Sequence, residues 1–280
     1  MKRIEVVYSP LCEANGAFIG QLKEWLADKD VQVAVIPFDR ADKTLGTGRD
    51  ENCFIDVFCN GIKIDSVPLR RERIYAALGI KEEGDPEHAD AGADARMSAE
   101  DLRHLIACNK IEFLPITREN YLEELSMCLC NYPFGNPPSR FHTACIDMKS
   151  KVFEQVWETE RLAGVYAKYA GKVIGLLEAM PRELLKKYGY MTGTHGKDAD
   201  YLTVGCYEVG RGIPRTEMLD ALMRGLVALL PRFSRQYIEG VGISGCEDGF
   251  NPRWVFEKYA FQKEEELNPR TAVLARAIRR

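Results

Sequence analysis

The chain has 280 residues, 46% of them hydrophobic and 29% charged, with a formal net charge of -4 and an isoelectric point near 5.8. That length predicts two domains of about 100 to 200 residues each, and the acidic balance excludes the basic footprint of a protein that neutralises nucleic-acid phosphates. The first ten residues read as a charged tip before a strand, not as a secretion signal. The most apolar stretch, 218–230, is interrupted by Arg224 and is too short to span a bilayer. The expectation is a cytoplasmic protein with neither nucleic acid nor membrane as a partner.

In chain order, residues 3–8 read as a strand and 15–29 as an amphipathic helix with Phe18, Ile19, Leu22, Trp25 and Leu26 on one stripe. A second strand is predicted at 31–38. After a polar loop, strands at 53–59 and 62–67 meet at Asn60-Gly61, a strong tight-hairpin signal. A short helix at 70–78 ends at Gly79. This β-α-β-β-β-α order predicts a thioredoxin-like domain over residues 1–80. Residues 81–97 are acidic and largely small, and they read as a linker.

The remainder, 98–280, opens with a helix at 99–108 announced by Ser98 and Asp101 in capping-box spacing. Then follow a strand at 111–116, helices at 118–130 and 147–159, and a hairpin of 162–169 with 172–180 turning at Ala170-Gly171. A stretch rich in glycine and threonine leads to a buried strand at 201–209 and a long helix at 214–231. A strand at 237–243, a helix at 252–259 and a closing strand at 272–278 complete the expected α/β (α+β) fold around a central mixed sheet.

Three phrases carry a resemblance. Tyr166 to Glu178 contains Gly171-Lys-Val-Ile-Gly175 at the start of the second hairpin strand. Leu202 to Val209 runs into Gly210-Arg-Gly-Ile-Pro-Arg215, and Trp254-Val-Phe-Glu-Lys-Tyr-Ala-Phe261 closes the set. Together with the element order they resemble the GNAT family of N-acetyltransferases over about 170 residues. The resemblance implies acetyl-CoA as co-substrate and an amine on a small molecule or a protein as acceptor. It also implies a cofactor loop made by Val209, Gly210, Arg211, Gly212, Ile213 and Arg215. Such a loop holds a diphosphate with backbone N–H groups at a helix N-terminus, where the macrodipole favours negative charge. Pro214 stands at the last small position of that loop and has no N–H to give. Amide formation further needs a base for the amine, for which Glu208 is the candidate, and a proton for the departing thiolate. Phe256 takes the register of the family's tyrosine acid, and Tyr259, three residues on, is the substitute candidate.

Nine cysteines spread through the chain fit reduced thiols. In the first domain Cys12 stands without the second cysteine of a Cys-x-x-Cys pair, so it is a candidate reactive thiol at a helix start, with an inert half-buried cysteine as the alternative. Cys128, Cys130, His142 and Cys145 offer four donors for a structural zinc, but their spacing is not a standard one, and no metal is expected. His195 in the glycine-rich stretch could border an acceptor pocket. Two functions compete: an acetyl-CoA-dependent N-acetyltransferase, or a non-catalytic two-domain binding or regulatory protein that meets a protein partner through its N-terminal domain. Oligomeric state is not readable.

Overall fold

The computed structural model describes residues 2–12, 15–41, 55–66, 69–81, 97–125, 127, 140–245 and 251–278, with backbone alone at 66 and 140–145. In the first unit β1 (Lys2–Tyr8), α1 (Asn15–Trp25), β2 (Val31–Pro37), β3 (Ile55–Cys59), β4 (Ile62–Ser66) and α2 (Arg71–Leu78) follow one another. The sheet order is β2-β1-β3-β4, with β1 and β2 parallel and the other pairs antiparallel. Phe18 and Leu22 of α1 and Ile74 and Leu78 of α2 bury against Ile4, Val6 and Val57. The turn predicted at Asn60-Gly61 has φ of 52° and 78°, the two positive values that match strand twist in a tight hairpin.

The second unit begins with α3 (Ala99–Ala107), whose Ser98 hydroxyl accepts the Asp101 N–H at 3.0 Å, as the capping-box spacing predicts. Then come β5 (Ile111–Pro115), α4 (Arg140–Trp157), β6 (Gly164–Tyr169), β7 (Lys172–Pro181), α5 (Arg182–Lys187), β8 (Tyr201–Val209), α6 (Arg215–Leu229), β9 (Tyr237–Ile243), α7 (Arg253–Lys258), β10 (Gln262–Asn268) and β11 (Thr271–Ala277). The strands form one seven-stranded mixed sheet in the order β10-β11-β9-β8-β7-β6-β5. Neighbours are antiparallel except β8 and β9, which are parallel.

Alternation along the strands divides the sheet into two faces. Val165, Leu177, Leu202, Tyr207 and Ile238 point to the side covered by α3, α6 and α7. Tyr166, Leu176 and Met180 point to the side covered by α4 and α5. The first unit docks on this second side. Its α1 lies against α4, and Leu11, 2% exposed, joins the apolar cluster of Tyr166, Leu176 and Tyr190. The Phe38 ring lies so close to Gly189 that a Cβ there would sit 2.8 Å from it.

Four segments differ from the sequence expectation, the first being α4, expected at 147–159 and found at Arg140–Trp157. Within the helix expected at 118–130, residues 118–124 form successive turns. Asn120 is the reason: its side chain accepts the Thr117 N–H at 2.7 Å and donates to the Pro115 carbonyl at 3.0 Å, offering the backbone an alternative to helix. Residues 182–187, expected to be irregular, are helical and start on the buried Arg182. The strand β10 was not expected because its KEEE run shows no apolar alternation; it is an edge strand, where charge deters pairing with other chains.

Candidate functional site

The parallel pair β8/β9 shapes the site. It is paired only at Tyr201 with Tyr237, Leu202 with Ile238 and Thr203 with Glu239. Beyond that rung β8 continues against β7 while β9 continues against β11, so the two strands part and a wedge opens between them. On β8 the ladder also slips: Leu177 faces Tyr207 but Ala179 faces Val204, so two steps of β7 match three of β8. The bulge falls around Gly205 and Cys206 and turns Cys206 and Glu208 to the face opposite α6, while Tyr207 and Val209 stay in the α6-side core. Bulges of this kind re-aim side chains beside sites.

At the mouth of the wedge the chain leaves β8 and enters α6. Gly210 donates its N–H to the Ile174 carbonyl at 2.9 Å, and a Cβ on it would lie 3.0 Å from the same oxygen. The Ile213 N–H bonds the Gly210 carbonyl at 3.2 Å, and the Gly212 carbonyl, at a residue with φ of 78°, receives the Met97 N–H at 3.0 Å. Pro214 is the N-cap and gives no side-chain bond, and the backbone bonds of α6 begin with Met218 N–H to the Pro214 carbonyl at 3.2 Å. The glycines therefore shape the loop, and the first turn of α6 presents the N–H groups of Thr216 and Glu217 with the positive end of a fifteen-residue helix dipole behind them. Beside this turn is a cleft of about 480 Å³ lined by Thr216, Ile243, Ser244, Gly245, Arg253, Trp254 and Glu257, so it joins the ends of β9, α6 and α7. Uncapped N–H groups, a helix dipole and Arg253 suit a phosphorylated ligand.

The proposed base and the loop arginine meet. Arg215 Nη1 donates to Glu208 Oε1 at 2.8 Å, with the two side chains 25% and 30% exposed. Arg211 lies exposed on the loop, and Val209 is buried at the strand end. Tyr259 is elsewhere: its hydroxyl donates to the Asp220 carboxylate at 3.1 Å and approaches the Asp220 carbonyl at 3.0 Å. Burial first, and the Asp220 charge second, push its phenol up to about 12. Phe256 is fully buried between Tyr207 and Phe261, and its ring would collide with any Cβ on Gly240, at 2.1 Å.

Cys12 is half-buried in the first unit; its carbonyl accepts the Asn15 N–H at 3.0 Å and its N–H approaches the Ser9 carbonyl at 3.4 Å. Cys128, Cys130 and the side chains of His142 and Cys145 lie outside the described residues, and no group of three metal-ligating side chains occurs among the described ones. His195 is exposed and offers its carbonyl to Arg182. No helix among the described residues is long and apolar enough to cross a membrane.

The sequence reading missed two buried polar clusters on the face opposite α6. In one, Lys149 lies between Glu124 and Glu178, 3.1 Å from the latter and 4.3 Å from the Phe153 ring centroid. Its signal was a lysine on the apolar stripe of Val152, Phe153 and Val156. In the other, Glu239 accepts from Thr203 Oγ1 at 2.7 Å, from the Gly193 N–H at 3.0 Å and from Arg182 at 3.1 Å. Its signal was a lone acid inside the otherwise uncharged strand YIEGVGI, since a charged group so placed is buried only with partners.

No protein-family model and no curated protein matches the chain. Solved structures do. A GNAT family N-acetyltransferase, YhbS from Escherichia coli, in complex with CoA, is 11% identical over 61% of this chain and 82% of its own, with a TM-score of 0.38. An acetyltransferase of the GNAT family from Bacillus cereus is 13% identical over 61% of this chain and 99% of its own, at 0.37. An N-acetyltransferase from Staphylococcus aureus is 10% identical over 60% and 99%, at 0.40.

Proposed function

We propose that the chain is a GNAT-type acetyltransferase that moves an acetyl group from acetyl-CoA to an amine. The observation that carries this reading is the wedge between parallel β8 and β9 with the uncapped start of α6 at its mouth. A pantetheine arm fits between parting strands, whose edges offer unpaired backbone groups, and the diphosphate fits the helix N-terminus. The three resembling phrases fall on the β6/β7 hairpin, on the run from β8 into α6 and on the run from α7 to Phe261. In the same reading residues 1–80 are a thioredoxin-like domain, 81–97 a linker and 98–280 the transferase domain.

The loop residues Val209, Gly210, Arg211, Gly212, Ile213 and Arg215 shape the diphosphate site. Acetyl-CoA supplies the activated acyl carbon, and Glu208 takes the proton of the attacking amine. A diphosphate at the start of α6 competes with Glu208 for Arg215, so cofactor arrival releases the base from its ion pair. Tyr259 is the candidate donor to the leaving sulfur, a role that requires its hydroxyl to turn away from Asp220. A phenol at about 12 is a weaker acid than a thiol near about 8.5, so Tyr259 stabilises the thiolate by a hydrogen bond and keeps its proton. The same phenol, held on Asp220, together with the buried Phe256 favours a second reading in which CoA binds without turnover.

Titration calorimetry with acetyl-CoA, followed by thiol release in a panel of amines, decides between them. The transferase reading expects binding and amine-dependent thiol release. Binding without release supports the second reading, and absence of binding at millimolar ligand removes both.

A further inference from the structure

The segment 190–200, between α5 and β8, crosses the sheet face opposite α6 at the level where the wedge opens. Two ties hold it there. The inner one is Glu239, on the last paired rung of β9: it receives the Gly193 N–H at 3.0 Å and the Thr203 hydroxyl of the facing β8 rung at 2.7 Å. A Cβ on Gly193 would lie 2.6 Å from Glu239 Oε2, so glycine is what lets the strap come this close. Arg182 completes this tie. It bonds Glu239 at 3.1 Å and the His195 carbonyl at 2.6 Å, stacks on the Tyr201 ring at 4.0 Å, and brings Nε within 3.0 Å of Asp198 as a charge contact outside hydrogen-bond alignment. The outer tie is Glu265 on the edge strand β10, which accepts both the N–H and the hydroxyl of Thr194, at 3.0 and 2.9 Å.

The side chains of Arg182 and Glu239 and the whole of Thr203 have no exposed surface. The strap therefore seals the apex of the wedge on this face, while α6 and α7 occupy the other. In the acyl-transfer reading the diphosphate takes the start of α6, so the attacking amine approaches the acyl carbon from the strap side. A buried ion pair seldom adds stability over apolar packing, and burial pushes the Glu239 carboxyl above its ordinary range despite three donors, so what this pair gains is position.

We propose that Glu239 is a positioning residue that latches the 190–200 strap over the acceptor side of the wedge, and that the acceptor is a small-molecule amine, not an amine on a folded protein. This inference rests on the acyl-transfer reading. With the apex closed by the strap, the acceptor reaches the acyl carbon only where β8 and β9 have parted beyond Thr203 and Glu239, an approach open to a small amine and not to a lysine on a folded surface.

The experiment uses the full chain. Thioester consumption is compared for polyamines, amino sugars and arylamines against unstructured lysine peptides and a folded lysine-rich protein. The best small amine is expected to exceed both in kcat/KM by about 100-fold or more. Glu239→Gln is expected to raise the amine KM about tenfold, with kcat and acetyl-CoA affinity little changed, and to speed trypsin cleavage after Lys197. That variant leaves the buried Arg182 short of its partner, so Thr194→Ala, which removes the hydroxyl half of the exposed outer tie and keeps its N–H half, is run beside it with a smaller rise of the same kind expected. The proposal is overturned if the folded protein is acetylated as fast as the small amines, or if both variants leave amine KM and Lys197 cleavage unchanged. Failure of the wild-type chain to bind acetyl-CoA would instead sink the acyl-transfer reading and the substrate class with it, while the latch is still read by the cleavage rate.

Discussion

Two arginine-glutamate pairs flank the wedge, and their surroundings differ. At the mouth, Arg215 meets Glu208 at 2.8 Å with both side chains partly in solvent. At the apex, Arg182 meets Glu239 at 3.1 Å with neither exposed, and each has further partners in the strap and β8. The first pair can exchange partners at little cost, because water and ions compete for it. The second cannot, since removing Arg182 strands the Glu239 carboxylate in a dry site and removing Glu239 leaves Arg182 with the half-exposed Asp198 as its counter-charge. One contact type thus serves two ends: an exchangeable one where a charged ligand is to enter, and a fixed one where the chain itself must stay put.

The largest test breaks the mouth. Glu208→Gln is expected to lower kcat for acetyl transfer by about 10² or more, the usual scale for loss of a general base. It should also tighten acetyl-CoA modestly, because Arg215 loses its competitor. Stopped-flow thiol release and calorimetry read the two effects separately. A variant with unchanged turnover would remove Glu208 from the proton path and leave the wedge as a binding cleft.

The apex breaks through packing. At Gly240 a Cβ would lie 2.1 Å from the Phe256 ring, and that ring is already wedged between Tyr207 and Phe261. Gly240→Ala is therefore expected to lower the unfolding free energy by about 1–3 kcal/mol, the overpacking range, and to shift the urea midpoint without changing its slope. Gly205→Ala is the control: its Cβ would meet the flexible end of Leu185 at 3.3 Å and should cost less. Equal effects would mean that α7 is free to shift off β9.

How far this contrast was legible in the sequence follows from the kind of signal each part leaves. The hairpin at Asn60-Gly61 and the cap at Ser98 were readable because their chemistry is local and spacing states it. The run from β8 into α6 was readable as a glycine-rich strand-to-helix turn, and Glu208 and Arg215 were both picked from it, though not as partners of each other. The apex was not readable, because Glu239 joins Arg182, Gly193 and Thr203 from three other places along the chain, and only the sheet order brings them together. The edge strand β10 was missed for a related reason: a strand that presents charge outward carries no apolar period.

Arg215→Ala sharpens the contrast by a smaller amount. If its guanidinium faces a diphosphate, acetyl-CoA affinity should fall about tenfold, as for loss of one charge-assisted contact, and the loss should shrink at high salt. Calorimetry at two ionic strengths reads this. A loss of affinity independent of salt would assign Arg215 to shaping the loop instead.

The smallest expected effect lies at Tyr259, which belongs to neither pair but ties α7 to α6 through Asp220. Its phenol is pushed up to about 12, above the ordinary tyrosine range, mainly by burial. A group whose proton is held more tightly in the folded chain gives stability that is fully present below the unfolded pKa and is lost as pH rises through the folded one. The chain should therefore lose stability between about pH 10 and 12, and Tyr259→Phe should flatten that slope while lowering kcat by less than about tenfold, because a hydrogen bond and not a proton transfer is removed. Tyr207, fully buried and also raised, keeps a residual slope in the variant. A large kcat loss without change in the alkaline slope would show that the phenol leaves Asp220 for the reacting sulfur, and would move Tyr259 from a structural tie to the proton donor of the reaction.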